Sequence, residues 1–256
     1  MQESELYNIK FIMLFLNKKL LLISKADCLN KESFRDYALG AIIENSQKDL
    51  KMEFINQVIN GYIMSDAYVS MLGSLQIRHS SKQEKFVEWL YDVLRDYRTD
   101  SPIKKTERLD PRTNKVYSTV RFSTKNNLKE YRTLWYKSYV DECGKVCYRK
   151  TLPDCIESFF GPIFVTLWFA GDGTKILSHR GAKFEVSSFT ALERLRLKEL
   201  FKLKYDIETS INRAGVTKKG NIQWTLNIKA KDYSKFHSLM TQIDLIPKIF
   251  PHKLWI

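Results

Sequence analysis

Two aspartates, Asp66 and Asp172, end two apolar segments of this sequence and are its first candidates for chemistry. The segments, 54–67 (FINQVINGYIMSDA) and 163–173 (IFVTLWFAGDG), have the length of short helices. A carboxylate at the C-terminal end of a helix is disfavoured by the helix dipole, so a nearby cation would help to explain both aspartates. Mg²⁺ takes one or two carboxylates as protein ligands. The pair is a candidate metal site, although either aspartate alone could be a helix-terminal residue that only forms hydrogen bonds.

The same features follow each aspartate, in the same order and at nearly the same distances. They are a charged helical pattern, a strand pattern, a Lys-acid-Tyr helix start, and a lysine near a proline. In the first copy they lie at 84–97, 116–123, 129–131 and Lys150, and in the second at 191–203, 222–229, 231–233 and Lys253. Such an ordered run of matches indicates a tandem duplication.

Each copy reads as helix, strand, strand, helix, strand, strand, helix. The first hairpins are predicted at 68–78 and 176–187, and turns at 110–114 and 218–221 precede the two strand patterns. Along those strands polar residues alternate with apolar ones. The alternation predicts sheets with one apolar face that helices can cover and one polar face that is free to meet a ligand.

The charge of the chain restricts its partners. There are 42 Lys and Arg against 29 Asp and Glu, a formal net charge of +13 with a pI of about 9.4. The excess runs through the predicted strands and is not confined to a tail. It favours a polyanionic partner, nucleic acid first and an anionic membrane surface second.

The cysteines and the N-terminus suggest a protein that works where it is made. No Cys-x-x-Cys motif occurs among the four cysteines, Cys28, Cys143, Cys147 and Cys155. They are interpreted as free thiols, with a zinc site from the last three as the alternative. The apolar runs Phe11–Leu16 and Leu20–Ile23 are shorter than the roughly 20 residues of a bilayer span. We therefore expect neither membrane insertion nor a targeting signal.

The two motif segments resemble those of the LAGLIDADG homing endonucleases, in the branch where one chain carries two motif copies. The resemblance covers about residue 50 to the end and rests on Gly61 and Asp66-Ala67 in the first copy, Trp168-Phe169 and Asp172-Gly173 in the second, and the segment KTLP at 150–153. The sequence departs from the motif at Ser65, where Ala or Gly is usual. Tyr62, Trp168 and Phe169 are large for a contact between helices.

The resemblance implies an α+β fold of two pseudo-symmetric αββαββα repeats. The two motif helices would pack at the centre, and antiparallel DNA-binding sheets would form a saddle over the major groove. Residues 1–48 would be an N-terminal extension, predicted to be helical. Residues 49–150 would form the first half and 151–256 the second.

The resemblance also implies a sequence-specific DNA endonuclease that cuts both strands across the minor groove of a long, non-palindromic site. Asp66 and Asp172 would bind Mg²⁺, with Mn²⁺ or Ca²⁺ possible at the same sites. Backbone carbonyls of Ser65 and Gly171 would be further ligands. The chain would act as a monomer, since both half-sites lie in one polypeptide.

Four further side chains are candidates for the catalytic site. Lys150 and Lys253, at matched repeat positions, are expected to organise solvent or charge near the metal, or else to be exposed loop lysines. Gln76 and Lys175 are candidates on the strands after the motif helices. Ser187 is the approximate counterpart of Gln76 in the second half.

Polar side chains on the predicted hairpins are candidates for contacts to double-stranded DNA, with cations at hairpin tips on phosphates. In the first half they are Ser74, Gln76, Arg78, Arg112, Tyr117, Thr119 and Arg121. In the second half they are His179, Arg180, Lys183, Arg213, Lys218, Gln223, Thr225 and Asn227. The aromatic stretches 89–97 and 131–139 are interpreted as core-facing helices.

The main alternative is a maturase that uses the same fold to bind intron RNA, with or without DNA cleavage. A catalytically silent DNA-binding module is a second alternative, and both aspartates argue against it. A membrane-surface protein would explain the charge but not the repeat. The expected compartment is a mitochondrion or chloroplast for an organelle gene, and the cytoplasm otherwise.

Overall fold

The computed structural model of the chain describes residues 32–255, with side chains from residue 46 onward. Cys28, the N-terminal apolar runs and most of the predicted extension therefore lie outside the described residues. The chain divides into two compact units, residues 1–56 and 57–256. In the described part of the chain no helix is long and apolar enough to cross a membrane.

Helices and strands follow one another in the predicted order, twice. The helices are α1 (Glu32–Met64), α2 (Glu84–Val93), α3 (Lys129–Trp135), α4 (Pro162–Asp172), α5 (Ala191–Tyr205), α6 (Tyr233–Met240) and α7 (Leu245–Ile249). The strands are β1 (Tyr68–Val69), β2 (Leu75–Ser80), β3 (Lys104–Asp110), β4 (Lys115–Ser123), β5 (Tyr136–Val140), β6 (Val146–Lys150), β7 (Gly173–Ile176), β8 (Gly181–Glu185), β9 (Thr209–Val216) and β10 (Ile222–Ile228). The α+β class and the repeat are confirmed.

Two antiparallel four-stranded sheets have the same topology. Their strand orders are β1-β2-β4-β3 and β7-β8-β10-β9, so each β-strand of the first sheet has a counterpart in the second. In β2 buried and exposed residues alternate strictly, with Leu75, Ile77 and His79 buried and Gln76 and Arg78 exposed. The buried face carries the core of each half, and the opposite face of each sheet is polar, as the alternation predicted.

The two motif helices pack side by side because Gly61 removes a side chain from their contact. A Cβ added at Gly61 would lie 2.6 Å from the carbonyl oxygen of Phe164 and 3.0 Å from Cβ of Leu167. The large motif residues do not obstruct this contact. Tyr62 is buried against Phe86 of its own half, and Trp168 is likewise buried inside the second half.

One predicted helix is partly wrong. The aromatic stretch 131–139 was interpreted as helical, but α3 ends at Trp135 and Tyr136–Val140 is strand β5, paired with β6. The turn between these strands is stabilised by the Asp141 carboxylate, which accepts the backbone N–H groups of Cys143 and Lys145 at 3.0 and 2.9 Å. Pairing across this turn outweighs the helical spacing of the aromatic residues.

Substitution of Gly61 tests the helix contact. Gly61→Val is expected to lower the free energy of unfolding by about 1–3 kcal/mol, because the new side chain meets backbone atoms that cannot rotate away. Gly181→Val is the control, since the three atoms nearest to a Cβ there are side-chain atoms of His179 and Ile176, at 3.2–3.3 Å, and not backbone atoms. Urea unfolding measures both variants. Equal stability losses would show that the helix contact is not especially tight.

Candidate active site

The two aspartates lie where the C-terminal ends of α1 and α4 meet. Asp66 follows the last residue of α1 by two positions, and Asp172 is the last residue of α4. A Cβ added at Gly171 would lie 2.6 Å from Cβ of Ser65 and 2.8 Å from Oδ2 of Asp66. Only glycine therefore allows this approach, and the two repeats contribute one carboxylate each to a shared site.

The shared site is electrostatically unfavourable to a second negative charge. Partial burial raises the pKa of Asp172 to about 7, and the negative charges of Asp66 and Glu185 act in the same direction. The positive charges of Lys150 and Lys253 oppose the shift. Without a cation, Asp172 therefore holds a proton up to about neutral pH.

Each motif helix ends on a half-buried lysine from its own repeat. Lys150 Nζ donates to the carbonyl oxygens of Ile63 and Ser65 at 2.5 and 2.9 Å. Lys253 Nζ donates to the last carbonyls of α4, with 2.6 Å to Ala170 and 3.1 Å to Gly171. Such contacts satisfy helix-terminal carbonyls and complement the helix dipole.

The environment of both lysines weakens their hold on the proton. Burial lowers the pKa of Lys150 and of Lys253, whereas the charges of Asp66 and Asp172 raise it. Each ammonium group therefore interacts electrostatically with both carboxylates. The matched repeat positions thus lead to matched places in the structure, with one lysine at the C-terminal end of each motif helix.

The residues present suit a divalent metal ion of the Mg²⁺ type. Two carboxylates from Asp66 and Asp172 and two nearby carbonyl oxygens form a set of hard oxygen donors, which is what Mg²⁺ selects. The Ser65 and Gly171 carbonyls already accept from the lysines, but a carbonyl oxygen has a second lone pair. A cation would also stabilise the charged form of Asp172, whose pKa is raised by burial and by the negative charge of Asp66.

Within the described residues, no group of three or more His, Cys, Asp or Glu could hold a metal ion. Cys143, Cys147 and Cys155 are free thiols and form no such group. The zinc alternative therefore finds no support. Two carboxylates are a number of protein ligands that suits an ion which retains much of its water.

Of the remaining catalytic candidates, Gln76 lies on the polar face of the first sheet. It pairs across the sheet with Tyr68 and exchanges hydrogen bonds with Ser74 and Ser123. Lys175 lies on the opposite face of its sheet from Lys183. It pairs with buried Ala182, and its Nζ lies 4.9 Å from the ring centre of Trp255.

Ser187 is not the counterpart of Gln76. Tyr68 and Thr174 each follow their aspartate by two residues, and they pair with Gln76 and Lys183 respectively. Lys183 is therefore the equivalent position. The Ser187 hydroxyl instead accepts the backbone N–H of Trp224 at 2.7 Å.

Most of the predicted DNA-contact residues lie on the polar faces or at exposed turns. Three do not fit. Ser74 is 7% exposed and donates to the Thr124 carbonyl, and Thr225 is 5% exposed. Arg213 pairs with Trp224, which places it on the face opposite Thr225, because an extra residue, Ala214, interrupts the register of β9.

Several polar-face residues were missed. Strand pairing puts Lys104, Thr106 and Arg108 on the same face as Arg121, Thr119 and Tyr117. In the second sheet it adds Thr174, Glu185, Ser210 and Asn212. The period-two spacing of Lys104, Thr106 and Arg108 is a signal that could have found the first group.

A cluster around Arg132 was also missed, and it holds the strand pair that carries Lys150. Arg132 is buried and donates to the Val69 carbonyl at 2.5 Å. Its guanidinium lies 4.8 and 4.7 Å from the ring centres of Tyr136 and Tyr148. The β5–β6 ribbon is thereby attached to the first sheet beside the site.

The chain resembles known proteins in sequence and in fold. The profile of the LAGLIDADG DNA endonuclease family matches residues 56–236. Cytochrome b mRNA maturase bI2 of Debaryomyces hansenii is 27% identical over 110 residues, which is 42% of this chain but only 38% of that protein's length. The homing endonuclease I-WcaI, solved bound to its DNA recognition sequence, has a similar fold, with a TM-score of 0.60, 20% identity, and coverage of 81% of this chain and 90% of that one.

In a chelator, Asp172→Asn is expected to stabilise the protein at neutral and alkaline pH. The pKa of Asp172 is about 7 in the folded state and about 3.9 in an unfolded chain. The folded state therefore binds the proton more tightly, and wild-type stability falls as pH rises through this window. The gain from Asn should grow from about pH 4 to 7, level off above it and reach at least ~3 °C in Tm.

Thermal unfolding in EDTA between pH 4 and 9 measures this gain. Asp100→Asn, at an exposed aspartate, is the control and should change Tm little at any pH. A pH-independent difference between Asp172→Asn and wild type would contradict the electrostatic account of the site.

Proposed function

Because the chain belongs to the LAGLIDADG DNA endonuclease family, we propose that it is a site-specific homing endonuclease that hydrolyses one phosphodiester in each strand of a DNA duplex. The observation that carries the proposal is the convergence of Asp66 and Asp172, one from each repeat, beside Lys150 and Lys253. A duplex has two strands to cut, and two related halves supply one set of groups for each.

The proposed reaction depends on a divalent metal, Mg²⁺ or, at the same sites, Mn²⁺ or Ca²⁺. Held by Asp66 and Asp172 with the Ser65 and Gly171 carbonyls, it would neutralise charge at the phosphate and lower the pKa of a bound water. The carboxylates of the chain are held in place for this role by the contact between α1 and α4.

The two lysines have a proposed role in charge and orientation. Each fixes the end of one motif helix through its carbonyls and so fixes the neighbouring carboxylate. Each also brings a partly desolvated positive charge to the place where a phosphate would gain negative charge. Such preorganised charge acts most strongly in the transition state.

The polar faces of the two sheets are proposed to read the DNA. Strand side chains would meet base edges in the major groove, and turn residues such as Arg112 and Lys218 would contact phosphates. The chain would act as a monomer on a non-palindromic site of about two helical turns, at roughly 10–10.5 bp per turn. The net charge of +13 supports a strongly salt-dependent affinity.

A second candidate function is supported by the maturase from Debaryomyces hansenii. On this proposal the chain binds folded intron RNA and assists splicing, with or without cutting DNA. The relative is a maturase of cytochrome b mRNA, which supports an organelle as the proposed compartment. Splicing of a precursor RNA in the presence of excess duplex DNA would separate the two activities.

Loss of either aspartate tests the proposed chemistry. Asp66→Asn and Asp172→Asn should each reduce double-strand cleavage by at least roughly 100-fold, the upper range for residues that merely support a metal ligand. Duplex affinity should change little, because neither substitution removes a groove contact. Cleavage in Mg²⁺ and equilibrium binding are the measurements, with Asp100→Asn as the control. Wild-type double-strand cleavage by either variant would refute the assignment of the site.

Replacement of the lysines separates chemistry from binding. Lys150→Met and Lys253→Met should lower the single-turnover rate at saturating DNA by roughly 10²- to 10³-fold, with far smaller changes in Kd. Lys137→Met is a matched control, since Lys137 is an exposed lysine on strand β5. If both variants keep the full rate, the lysines only cap the helices. The catalytic site would then consist of the two aspartates, metal and water.

A further inference from the structure

The pairing of strands makes the polar faces of the two sheets comparable position by position. Tyr68 pairs with Gln76 in the first sheet as Thr174 pairs with Lys183 in the second. Two residues further along β2 and β8, one row of side chains crosses each sheet. The first row is Arg78–Arg121–Lys104, and the second row, at equivalent positions, is Glu185–Thr225–Asn212.

The first row consists of three cations directly opposite one another. All three residues are exposed, and within the described part of the chain none of their side chains has an ion-pair partner. Like charges opposite each other in a sheet, with Cβ atoms about 4.5–5.5 Å apart, destabilise it. The row therefore suits a ligand that presents several hydrogen-bond acceptors. In the major groove that ligand is guanine, whose O6 and N7 both accept from Arg or Lys.

The second row has the opposite character. Glu185 is exposed and presents an acceptor, with one of its oxygens bound to the N–H of Ser187. Asn212 is also exposed, whereas Thr225 is buried between them. A carboxylate is repelled by phosphates. Of the two base edges that offer it a donor, cytosine N4 suits it better than adenine N6, because N6 lies beside the acceptor N7. The Asn212 amide matches adenine, at N6 and N7.

We propose that these two rows give the two half-sites of the DNA target opposite base preferences: guanine at the first row, and cytosine beside adenine at the second. The proposal deepens the proposed function and rests only on its DNA-binding part. Because the rows are related by the repeat, a palindromic target would present the same base to both and satisfy only one. The target is therefore asymmetric at this pair of positions.

Selection of bound duplexes from a randomised library, without added metal, tests the proposal. Wild-type protein should recover sites with guanine on one strand at the first position and cytosine on the opposite strand at the symmetry-related position, so that a single strand carries guanine at both; each base should be preferred roughly 5- to 150-fold. Glu185→Arg should change the cytosine preference to guanine at that position alone, and Glu185→Gln should weaken it. Arg121→Ala should relax the guanine preference and leave the other half unchanged.

Two exposed residues away from the rows serve as matched controls, Glu199→Arg on α5 and Arg95→Ala beyond α2. Neither should alter the recovered sequences. Sites that are palindromic at these positions, or an unchanged preference in a Glu185→Arg protein that still binds, would overturn the proposal.

Cleavage of the same library in Mg²⁺ separates this proposal from the proposed function. A protein that selects the expected bases without cutting would refute the nuclease and leave the base preferences intact. A protein that cuts, but with the same sequence profile for wild type and Glu185→Arg, would refute the base preferences alone. Absence of any duplex binding would refute both.

Discussion

Close packing of the C-terminal ends of α1 and α4 is the constraint on which the rest of this structure depends. Gly61 and Gly171 let the two helices meet, and this contact brings the carboxylates of Asp66 and Asp172 into one electrostatic environment. Negative charges at two helix C-termini are unfavourable, and the chain offsets them with two half-buried lysines that donate to the terminal carbonyls. Burial, together with the remaining repulsion from Asp66, raises the pKa of Asp172, and a bound cation would offset both. The geometry that costs stability in the free protein is thus the geometry that a metal site needs.

The duplication explains why the two halves have the same fold and yet differ on the faces that would contact a ligand. Core positions such as Phe122 and its equivalent Leu226 are apolar in both sheets, because helices cover that face in each half. The open faces are under no such restriction. There the equivalent residues Arg78 and Glu185 have opposite charge, so one scaffold presents two different surfaces. An internal repeat can thus place related groups beside the two strands of a duplex at its central site. Its two sheets can at the same time contact two unlike base sequences.

The sequence predicted those parts of the molecule whose signals are local or repeated. Alternation along one segment predicted β4, Lys115–Ser123, and the repeat directed attention to Lys150 and Lys253, which no composition argument would have distinguished from other lysines. The β5–β6 ribbon was missed because Tyr136–Val140 becomes a strand only through its partner across the Asp141 turn, which is not a periodic signal. Arg213 was assigned to the wrong face because one extra residue in β9 reverses the alternation, and a bulge is visible only in the pairing. Glu185 was missed although it follows the predicted contact residue Lys183 at the two-residue spacing of one strand face.

The two halves are proposed to form a single centre that cuts both strands of one long site. Sequencing of both ends of every product, after incubation of the pure protein with a randomised duplex library and Mg²⁺, tests this most directly. We expect cleavage of both strands at one fixed position within a non-palindromic sequence of about two helical turns. Products cut in one strand only, a recognised sequence of a single turn, or a site with two-fold symmetry would contradict it.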